Sequence, residues 1–363
     1  GCMRLPRDEN AAVDREKAYE LIRYAADNGI NYFDSALTYH NRTSETILGE
    51  ALEGERRKKV YYATKQPFSA MTTQAYIRRN LAETLVKLRT DYIDVYLVHN
   101  ISDAQWPEIQ RRKVLDEYEK FKSEGLIRHI AFSYHGNHKG WKAILDGYDW
   151  EMCQIQQNLL DVDKEVTQQA ILDAGKKGCG LVIMEPLRGG GLANAPAVVQ
   201  AVYDRSPVKR TPAQWGFRHL ANYPQVSTIL SGITTMEQLK QNIETFSASD
   251  MVPGCLSETE RKILADAKAA YESIVTVPCT GCEYCVPCPN GVAIPSVFEH
   301  YNDGMMFDNF DQPRRSYMFM EGGKRDGGQC IACGACEPKC PQKIEIIKQL
   351  ANAHERLTGW VET

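Results

Sequence analysis

The sequence predicts a (β/α)8 barrel of the TIM type followed by a small cysteine-rich domain. Short apolar segments alternate with amphipathic helical patterns over about 250 residues, the usual length of such a barrel. Polar residues directly follow several of these apolar segments, where a barrel places its chemistry. The composition changes after Val277-Pro278, where cysteine, glycine and proline become frequent.

Eight short apolar or aromatic segments have the length and composition of strands. They are GCMRL (1–5), INYF (30–33), KVYYAT (59–64), YIDVYLV (92–98), IRHIAF (127–132), EMCQI (151–155), LVIM (181–184) and VSTIL (226–230). A doubly wound sheet is the alternative arrangement. It is disfavoured because no G-x-G-x-x-G motif follows the first strand.

Helical patterns lie between the predicted strands. Residues 14–29 carry an apolar stripe with i, i+3, i+4 spacing and end at Gly29, a favourable C-terminal stop. The other helical segments are 73–89, 112–125, a helix opened by Thr211 and Pro212, 235–246 and 257–273. We therefore expect a barrel in residues 1–250, a connecting helix in 251–276 and a second domain in 277–363.

The composition excludes several partner classes. The net charge is −4 and the pI is near 6.1, so the sequence gives no sign of a nucleic-acid or anionic-membrane partner. No apolar run approaches the ~20 residues that cross a bilayer. Twelve cysteines could indicate a secreted disulfide scaffold. Their close spacing in a long chain favours metal ligation in a reducing cytoplasm instead.

Four polar residues come directly after predicted strands, namely Asp34, Lys65, His99 and Ser133. A lone histidine or aspartate at such a place is usually a structural residue. A lysine at the mouth of a buried strand needs a carboxylate to neutralise it, and Asp34 would serve. We therefore expect these groups to converge at one end of the barrel.

Tyr39 lies five residues beyond Asp34, on the loop above the same end of the barrel. A phenol beside Lys65 is expected to have a lowered pKa, because the cation favours phenolate. Tyr39 could then act as a general acid, with His99 donating a hydrogen bond to the same substrate oxygen. Such a quartet suits protonation of a carbonyl oxygen while hydride arrives at carbon.

The segments FDSALTYH, YYATK and DVYLVHN resemble the aldo/keto reductase family over residues 1 to about 250. The resemblance implies Tyr39 as proton donor, Lys65 and Asp34 as the pair that tunes it, and His99 as the group that orients a small carbonyl or alcohol substrate. It also implies NADP(H), bound without a Rossmann motif. Compared with the family, we expect the chain to begin inside the first barrel strand, without the N-terminal hairpin.

The resemblance extends to six residues expected to contact the nucleotide: Ser133, Gln154, Met184, Gly232, Gln238 and Asn242. Met184 stands where the family usually stacks an aromatic ring on nicotinamide, and Tyr134 replaces the usual Asn. Gln238 stands where many relatives carry Arg for the 2′-phosphate. Some relatives, including potassium-channel β subunits, use Gln and still bind NADP(H), so the resemblance favours NADP(H) and leaves NAD(H) open. The Gly189–Gly191 run could be a flexible loop or, as in the family, a flap over the pyrophosphate.

Two cysteine runs lie near the end of the chain. The first is C-x2-C-x2-C-x2-C-P (Cys279, Cys282, Cys285, Cys288) and the second is C-x2-C-x2-C-x3-C-P (Cys330, Cys333, Cys336, Cys340). In such runs three cysteines hold one iron–sulfur cluster and the fourth, before proline, holds the other. The expected sets are Cys279, Cys282 and Cys285 with Cys340, and Cys330, Cys333 and Cys336 with Cys288. Structural zinc is the alternative, but it usually takes separated C-x2-C pairs.

The spacer between the runs contains SVFEHYNDGMMFD, which has a helical pattern. This resembles the α-helical ferredoxin type. The whole chain is similar to aldo/keto reductases that carry a C-terminal 4Fe-4S ferredoxin-like domain.

The sequence therefore predicts an oxidoreductase that reduces carbonyls or oxidises alcohols and carries two [4Fe-4S] clusters for electron transfer or redox sensing. Nicotinamide exchanges electrons in pairs and a cluster exchanges them singly, so a flavin or a redox partner protein would have to connect them. No flavin motif is seen. The alternative is a redox-sensing or electron-transfer subunit whose barrel binds nucleotide with little turnover.

Overall fold

The computed structural model describes residues 1–136, 138–161 and 168–359. Across these residues seven strands form one parallel sheet in sequential order. The strands are β1 Tyr32–Asp34, β2 Tyr61–Pro67, β3 Ile93–Ile101, β4 Ile127–Tyr134, β5 Met152–Gln156, β6 Gly180–Met184 and β7 Val226–Ile229. Each lies close to a predicted strand, so seven of the eight predictions are confirmed.

The predicted strand at residues 1–5 is wrong. Cys2 donates its backbone N–H to Asp34 O at 2.8 Å, and the amino group of Gly1 donates to Ser231 O at 2.9 Å. A turn at residues 2–3 then leads the chain away. Residues 1–5 thus make one backbone bond to the end of β1 and one beside β7, and they form no ladder.

Fourteen α-helices are present among the described residues, and the first of them precedes β1. They are α1 Arg15–Asp27, α2 Ser44–Leu52, α3 Gln74–Lys87, α4 Trp106–Arg111, α5 Val114–Ser123, α6 His138–Asp146, α7 Gln168–Lys177, α8 Ala197–Tyr203, α9 Pro212–Ala221, α10 Met236–Ser247, α11 Glu258–Ser273, α12 Ile294–Met306, α13 Asp311–Gly322 and α14 Ile346–Thr358. The predicted helices are confirmed within a few residues at each end. At α1, for example, the Asp14 side chain caps the helix by accepting a bond from Lys17 N.

The chain divides into two compact units. The barrel unit comprises Gly1–Leu187 and Gly216–Ser257, and the C-terminal unit comprises Arg188–Trp215 and Glu258–Thr363. The segment after β6 and helix α11 thus pack with the cysteine-rich region. The sequence-based boundaries at residues 250 and 276 stay a prediction.

The interior of the barrel unit is a small apolar cluster enclosed by the sheet. It draws one or two side chains from each strand or its end: Tyr32, Ala63, Val95, Leu97, Ala131, Met152, Val182, Met184 and Leu230. A larger apolar cluster surrounds the sheet and includes side chains from α1, α2, α3 and α5. Contributions from all seven strands to one interior cluster require a strongly curved sheet, as in a barrel.

The C-terminal unit has its own apolar core. Helices α12 and α14 supply much of it, including Val297, Phe298 and Leu350. Six cysteines from the two runs pack against this core: Cys279, Cys285, Cys288, Cys330, Cys336 and Cys340. Among the described residues, no helix is both long and apolar enough to cross a bilayer.

Candidate active site and cysteine-lined cavities

The candidate catalytic and nicotinamide-contacting residues continue the inward-facing side of the strands. Successive strand residues point to opposite faces, so every second residue faces the interior. The matching pairs are Tyr32 and Asp34, Ala63 and Lys65, Leu97 and His99, Ala131 and Ser133, Met152 and Gln154, and Val182 and Met184. The first member of each pair lies in the interior cluster, so the second members form the next layer towards the C-terminal end, where Met184 still packs against the cluster.

The sequence prediction placed Asp34, Lys65, His99 and Ser133 just beyond the strands, and this is wrong for all four, because Asp34 is the last residue of β1 and the other three lie inside strands. Lys65 lies within β2, His99 within β3 and Ser133 within β4. The ladder continues past them; Lys65 pairs in register with Leu97, for example. Polar side chains are tolerated there because they turn into the open end of the barrel and find partners.

Lys65 lies at the centre of the site. Its Nζ donates to the Asp34 carboxylate at 2.6 Å and to Ser35 O at 2.7 Å. The same atom lies 3.4 Å from Tyr39 Oη. The Lys65 side chain is fully buried and that of Asp34 is 4% exposed. The predicted convergence of Asp34, Tyr39 and Lys65 is therefore present in the structure.

The two pKa shifts in this group have opposing causes. Burial acts to lower the pKa of Lys65, but Asp34 and Tyr39 outweigh it, so the pKa lies above its ordinary value. Burial raises the pKa of Tyr39, and Lys65 acts to lower it without reversing the shift. The expected lowering of the Tyr39 pKa is wrong, because the phenol loses more solvation than the nearby cation restores.

His99 completes the quartet. Its ring lies edge-on to the Tyr39 ring, with a centroid separation of 5.9 Å. Burial, with smaller contributions from Lys65 and His135, lowers the pKa of His99 to about 3. The imidazole is therefore neutral at physiological pH, and a neutral imidazole can still donate one hydrogen bond.

Two ionisable residues beside the quartet were missed by the sequence analysis. Burial lowers the pKa of His135 to about 4, with Glu185 acting to raise it and Lys65 to lower it. Glu185 also acts to raise the pKa of Tyr39. His135 could have been predicted from the sequence. It lies two residues beyond Ser133, so the alternation of β4 places it on the same side as Ser133. Glu185 directly follows β6 and comes one residue after the inward-facing Met184. Strand alternation therefore does not predict that Glu185 faces the site.

Ser133, Gln154 and Met184 lie along neighbouring strands. Ser133 Oγ accepts the Asn100 backbone N–H at 2.8 Å. Gln154 Nε2 lies 3.4 Å from Met184 Sδ. Gln154 Oε1 is buried and has no hydrogen-bond partner among the described residues. A buried unsatisfied acceptor is costly and fits a site completed by a ligand amide.

The other predicted nucleotide residues lie at the start of α10. Gln238 Oε1 accepts the backbone N–H groups of Thr234 at 3.0 Å and Thr235 at 3.3 Å. Thr235 Oγ1 in turn accepts Gln238 N, which makes a capping box. Asn242 Nδ2 donates to Ser231 Oγ at 3.0 Å, next to Gly232.

The glycine run belongs to a short helical turn, Arg188–Ala193, in the C-terminal unit. Gly189 and Gly190 have φ values of 68° and 99°, which favour glycine. A Cβ at Gly191 would lie 2.8 Å from the Phe307 ring. Arg188 forms ion pairs with Asp303 at 2.9 Å and with Glu299 at 3.4 Å. The run is therefore packed and tied to α12, unlike a free loop.

Two small cavities lie among the cysteine runs. The first is lined by four cysteines, Cys279, Cys282, Cys285 and Cys340, and by apolar side chains that include Phe298 and Ile344. The second is lined by Cys288, Cys330, Cys333 and Cys336, with Ile331 and Leu350 among its apolar residues. Ile294 borders both cavities. Each run thus sends its last cysteine to the cavity lined by the other three-cysteine group.

The chemistry of the eight thiols fits a metal or cluster better than disulfides. None of the twelve cysteines forms a disulfide in the structure. Burial, together with neighbouring cysteines, raises the pKa of Cys285 to about 11, and burial also raises that of Cys336. Four crowded thiols become thiolates only when cationic iron or another metal compensates their charge.

Comparisons with known proteins identify a family for the barrel region and a domain type for the cysteine-rich region. The model for the aldo/keto reductase family matches residues 1–253, and the 4Fe-4S dicluster domain matches residues 278–345. The chain is 25% identical over 305 residues to an uncharacterised oxidoreductase, YqkF, of Bacillus subtilis, covering 75% of this chain and 94% of that protein. It is 27% identical over 271 residues to mouse aldo-keto reductase family 1 member C21, covering 65% of this chain and 81% of that protein.

Solved structures agree on the fold. Aldo-keto reductase AKR11C1 of Bacillus halodurans (holo form) aligns with a TM-score of 0.60 at 24% identity, covering 74% of this chain and 90% of that one. A Klebsiella pneumoniae aldo-keto reductase in complex with NADPH aligns with a TM-score of 0.57 at 22% identity, covering 69% and 84%. The predicted TIM-barrel fold class is thereby confirmed. The chain belongs to the aldo/keto reductase family, and it combines that oxidoreductase domain with a C-terminal 4Fe-4S dicluster domain.

Proposed function

We propose that the barrel unit reduces a carbonyl group, or oxidises the corresponding alcohol, with NADP(H). The observation that carries this proposal is the contact of Lys65 Nζ with both the Asp34 carboxylate and Tyr39 Oη. This arrangement places a protonated phenol next to a fixed positive charge at the open end of a barrel. Proton transfer of this kind contributes about 10²–10⁴-fold to a reaction rate.

Each member of the quartet has a distinct role. Tyr39 donates its proton to the carbonyl oxygen, and its raised pKa keeps it protonated at neutral pH. Lys65 stabilises the phenolate that remains, and Asp34 keeps Lys65 charged despite its burial. His99, neutral at this pH, donates a hydrogen bond that orients the substrate oxygen.

The residues around the quartet fit a nicotinamide. The unpartnered Oε1 of Gln154 would accept the carboxamide N–H, and Ser133 would contact the same group. Met184, beside Gln154, would cover the ring with its thioether. When bound, the dinucleotide supplies a hydride to the carbonyl carbon. The Klebsiella relative was solved in complex with NADPH, which supports NADPH as the first nucleotide to test.

We further propose that the C-terminal unit holds two [4Fe-4S] clusters. The ligand sets are Cys279, Cys282, Cys285 and Cys340 for one, and Cys330, Cys333, Cys336 and Cys288 for the other. The support is that each set lines one cavity. Four thiolates per cluster is the usual ligand number. The clusters would serve electron transfer to a partner protein, or redox sensing.

A test of the barrel activity is NADPH oxidation with a panel of aldehydes and ketones. We expect Tyr39→Phe to lower kcat about 10²–10⁴-fold and to leave NADPH affinity nearly unchanged. Tyr76→Phe is the matched control, because Tyr76 is an exposed residue of α3. Equal turnover of Tyr39→Phe and wild type would disprove the assignment.

The Met184–Gln154 contact favours a second candidate function, because it gives the ring site a thioether in place of an aromatic surface. In this case the barrel binds nucleotide but turns over slowly, and the protein acts as a redox sensor or electron-transfer subunit. Tight NADPH binding without turnover of any substrate in the panel would support this candidate over the reductase.

A further inference from the structure

The segment expected to hold the dinucleotide phosphates has few positive charges of its own. Between residues 226 and 250 the one Lys or Arg is Lys240. Its Nζ lies 5.6 Å from the centre of the Tyr24 ring on α1. Lys240 therefore contacts α1. It lies one turn into α10, beyond the residues that cap the helix.

Gln238 does not compensate for this lack of charge. The Gln238 Oε1 atom accepts two backbone N–H groups at the start of α10, and the Gln238 backbone N–H donates to Thr235 Oγ1. The capping box therefore uses the polar groups that a phosphate would otherwise meet at this helix start. A phosphate in this segment needs a cation from elsewhere in the chain.

Arg4 comes from the N-terminal segment and lies on Gly232. A Cβ added at Gly232 would lie 2.7 Å from Arg4 Cδ and 3.0 Å from Cγ, so the arginine stem fills the space that a side chain at 232 would take. Two hydrogen bonds hold the segment in place: Gly1 N to Ser231 O at 2.9 Å and Thr234 Oγ1 to Arg4 O at 3.0 Å.

The Arg4 side chain is 29% exposed and, among the described residues, it forms an ion pair with Glu185, Nη2 to Oε1 at 3.2 Å. A part-exposed pair of this kind is weak. A guanidinium has five N–H donors, and its planar fork binds phosphate in a bidentate manner. Arg4 thus has donors to offer, and its stem is held against the glycine of the predicted phosphate segment.

We propose that Arg4 is the cation that binds a phosphate of the dinucleotide, in place of the missing arginine at position 238. This inference rests on the proposed NADP(H) binding. Arg4 acts from the N-terminal segment across Gly232, and Gly232 must be a glycine because the Arg4 stem lies on it. Glu185 holds the guanidinium near this position before the nucleotide arrives.

The test is direct binding of NADPH and of NADH to the purified full chain, measured by calorimetry. We expect Arg4→Gln to weaken NADPH binding about ten- to a hundredfold, the usual effect of losing a charged hydrogen bond. A loss confined to NADPH identifies the 2′-phosphate as the partner, and an equal loss for NADH identifies the pyrophosphate.

Arg7→Gln is the matched control, because Arg7 is an exposed arginine of the same segment that bonds to Ala11 O. A double variant, Arg4→Ala with Gly232→Lys, removes the Arg4 stem beyond Cβ and returns a cation to the space that the stem occupied. We expect it to recover NADPH affinity, and thermal unfolding of all variants checks that the barrel stays folded.

Equal Kd values for Arg4→Gln and wild type would overturn the inference. So would a double variant as weak as Arg4→Gln, since the loss would then come from the segment's conformation and not from its charge. If wild type itself binds neither nucleotide, the proposed function fails, which is a separate outcome.

Discussion

Lys65 Nζ lies 2.6 Å from the Asp34 carboxylate, and 96% or more of each side chain is buried. The two residues are 31 positions apart and reach each other from adjacent parallel strands. A buried ion pair is costly to form, and it becomes much more costly when one partner is removed. Asp34 and Lys65 are therefore a unit on which both stability and proton transfer depend.

Asp34→Asn is expected to lower the free energy of unfolding by about 3–5 kcal/mol, because it leaves the Lys65 ammonium buried without its counter-ion. Urea unfolding of the full chain measures this change. The matched control is Asp27→Asn, which breaks an ion pair with Arg56 in which both side chains are about half exposed. The prediction fails if both variants lose a similar small amount of stability.

Acid is expected to destabilise the barrel through His99 and His135. Their pKa values in the folded chain are about 3 and about 4, below the ordinary value of about 6.5. The unfolded chain therefore binds more protons between these limits, so stability is full above pH ~6.5 and falls as the pH drops towards 4.

The corresponding experiment compares unfolding free energies at pH 7.5 and pH 5. We expect each of these histidines to contribute about 1–2 kcal/mol of the loss. His99→Asn should thus show a smaller loss than wild type, whereas Tyr76→Phe, which keeps every histidine, should not. An unchanged loss in His99→Asn would contradict the assigned pKa.

The crossed ligation of the two clusters can be tested with a pair of double variants that each remove two cysteines. Cys282→Ser with Cys340→Ser removes two ligands of the same proposed cluster, so about four iron atoms should remain per chain. Cys282→Ser with Cys288→Ser removes one ligand from each cluster, so both should be lost or depleted.

Iron and sulfide analysis after anaerobic purification gives the result. Cys255→Ser is the control, because Cys255 belongs to the barrel unit and to neither cysteine run. If each run instead held its own cluster, the two double variants would exchange their iron contents, and the proposed sets would be incorrect. Zinc without sulfide would exclude the clusters altogether.

NADPH alone is expected to leave the cluster absorption unchanged. Hydride carries an electron pair and a [4Fe-4S] cluster accepts one electron, so the two need a converter such as a flavin. Dithionite, a one-electron reductant, should bleach the same sample. Bleaching by NADPH in flavin-free protein would show that a direct path exists.

The period-two pattern of the strands and the cysteine spacings carried much of the information. Alternation along YYATK and DVYLVHN is enough to place Lys65 and His99 on the inward face, and the spacing of the cysteine runs predicted the two groups of four that line the cavities. Strand alternation and cysteine spacing are both local patterns. Each depends on backbone geometry over a few residues, including the distance that a C-x2-C run sets between its two cysteines.

The tertiary structure decided what depends on long-range proximity and burial. It replaced the predicted first strand by a segment with single bonds to β1 and to Ser231, and it brought Arg4 against Gly232. It also reversed the expected pKa shift of Tyr39, because the solvation lost on burial depends on every neighbour of the phenol. The sequence by itself determined which chemical groups are present and which side of each strand they take, whereas only the folded chain decided their partners and their charge.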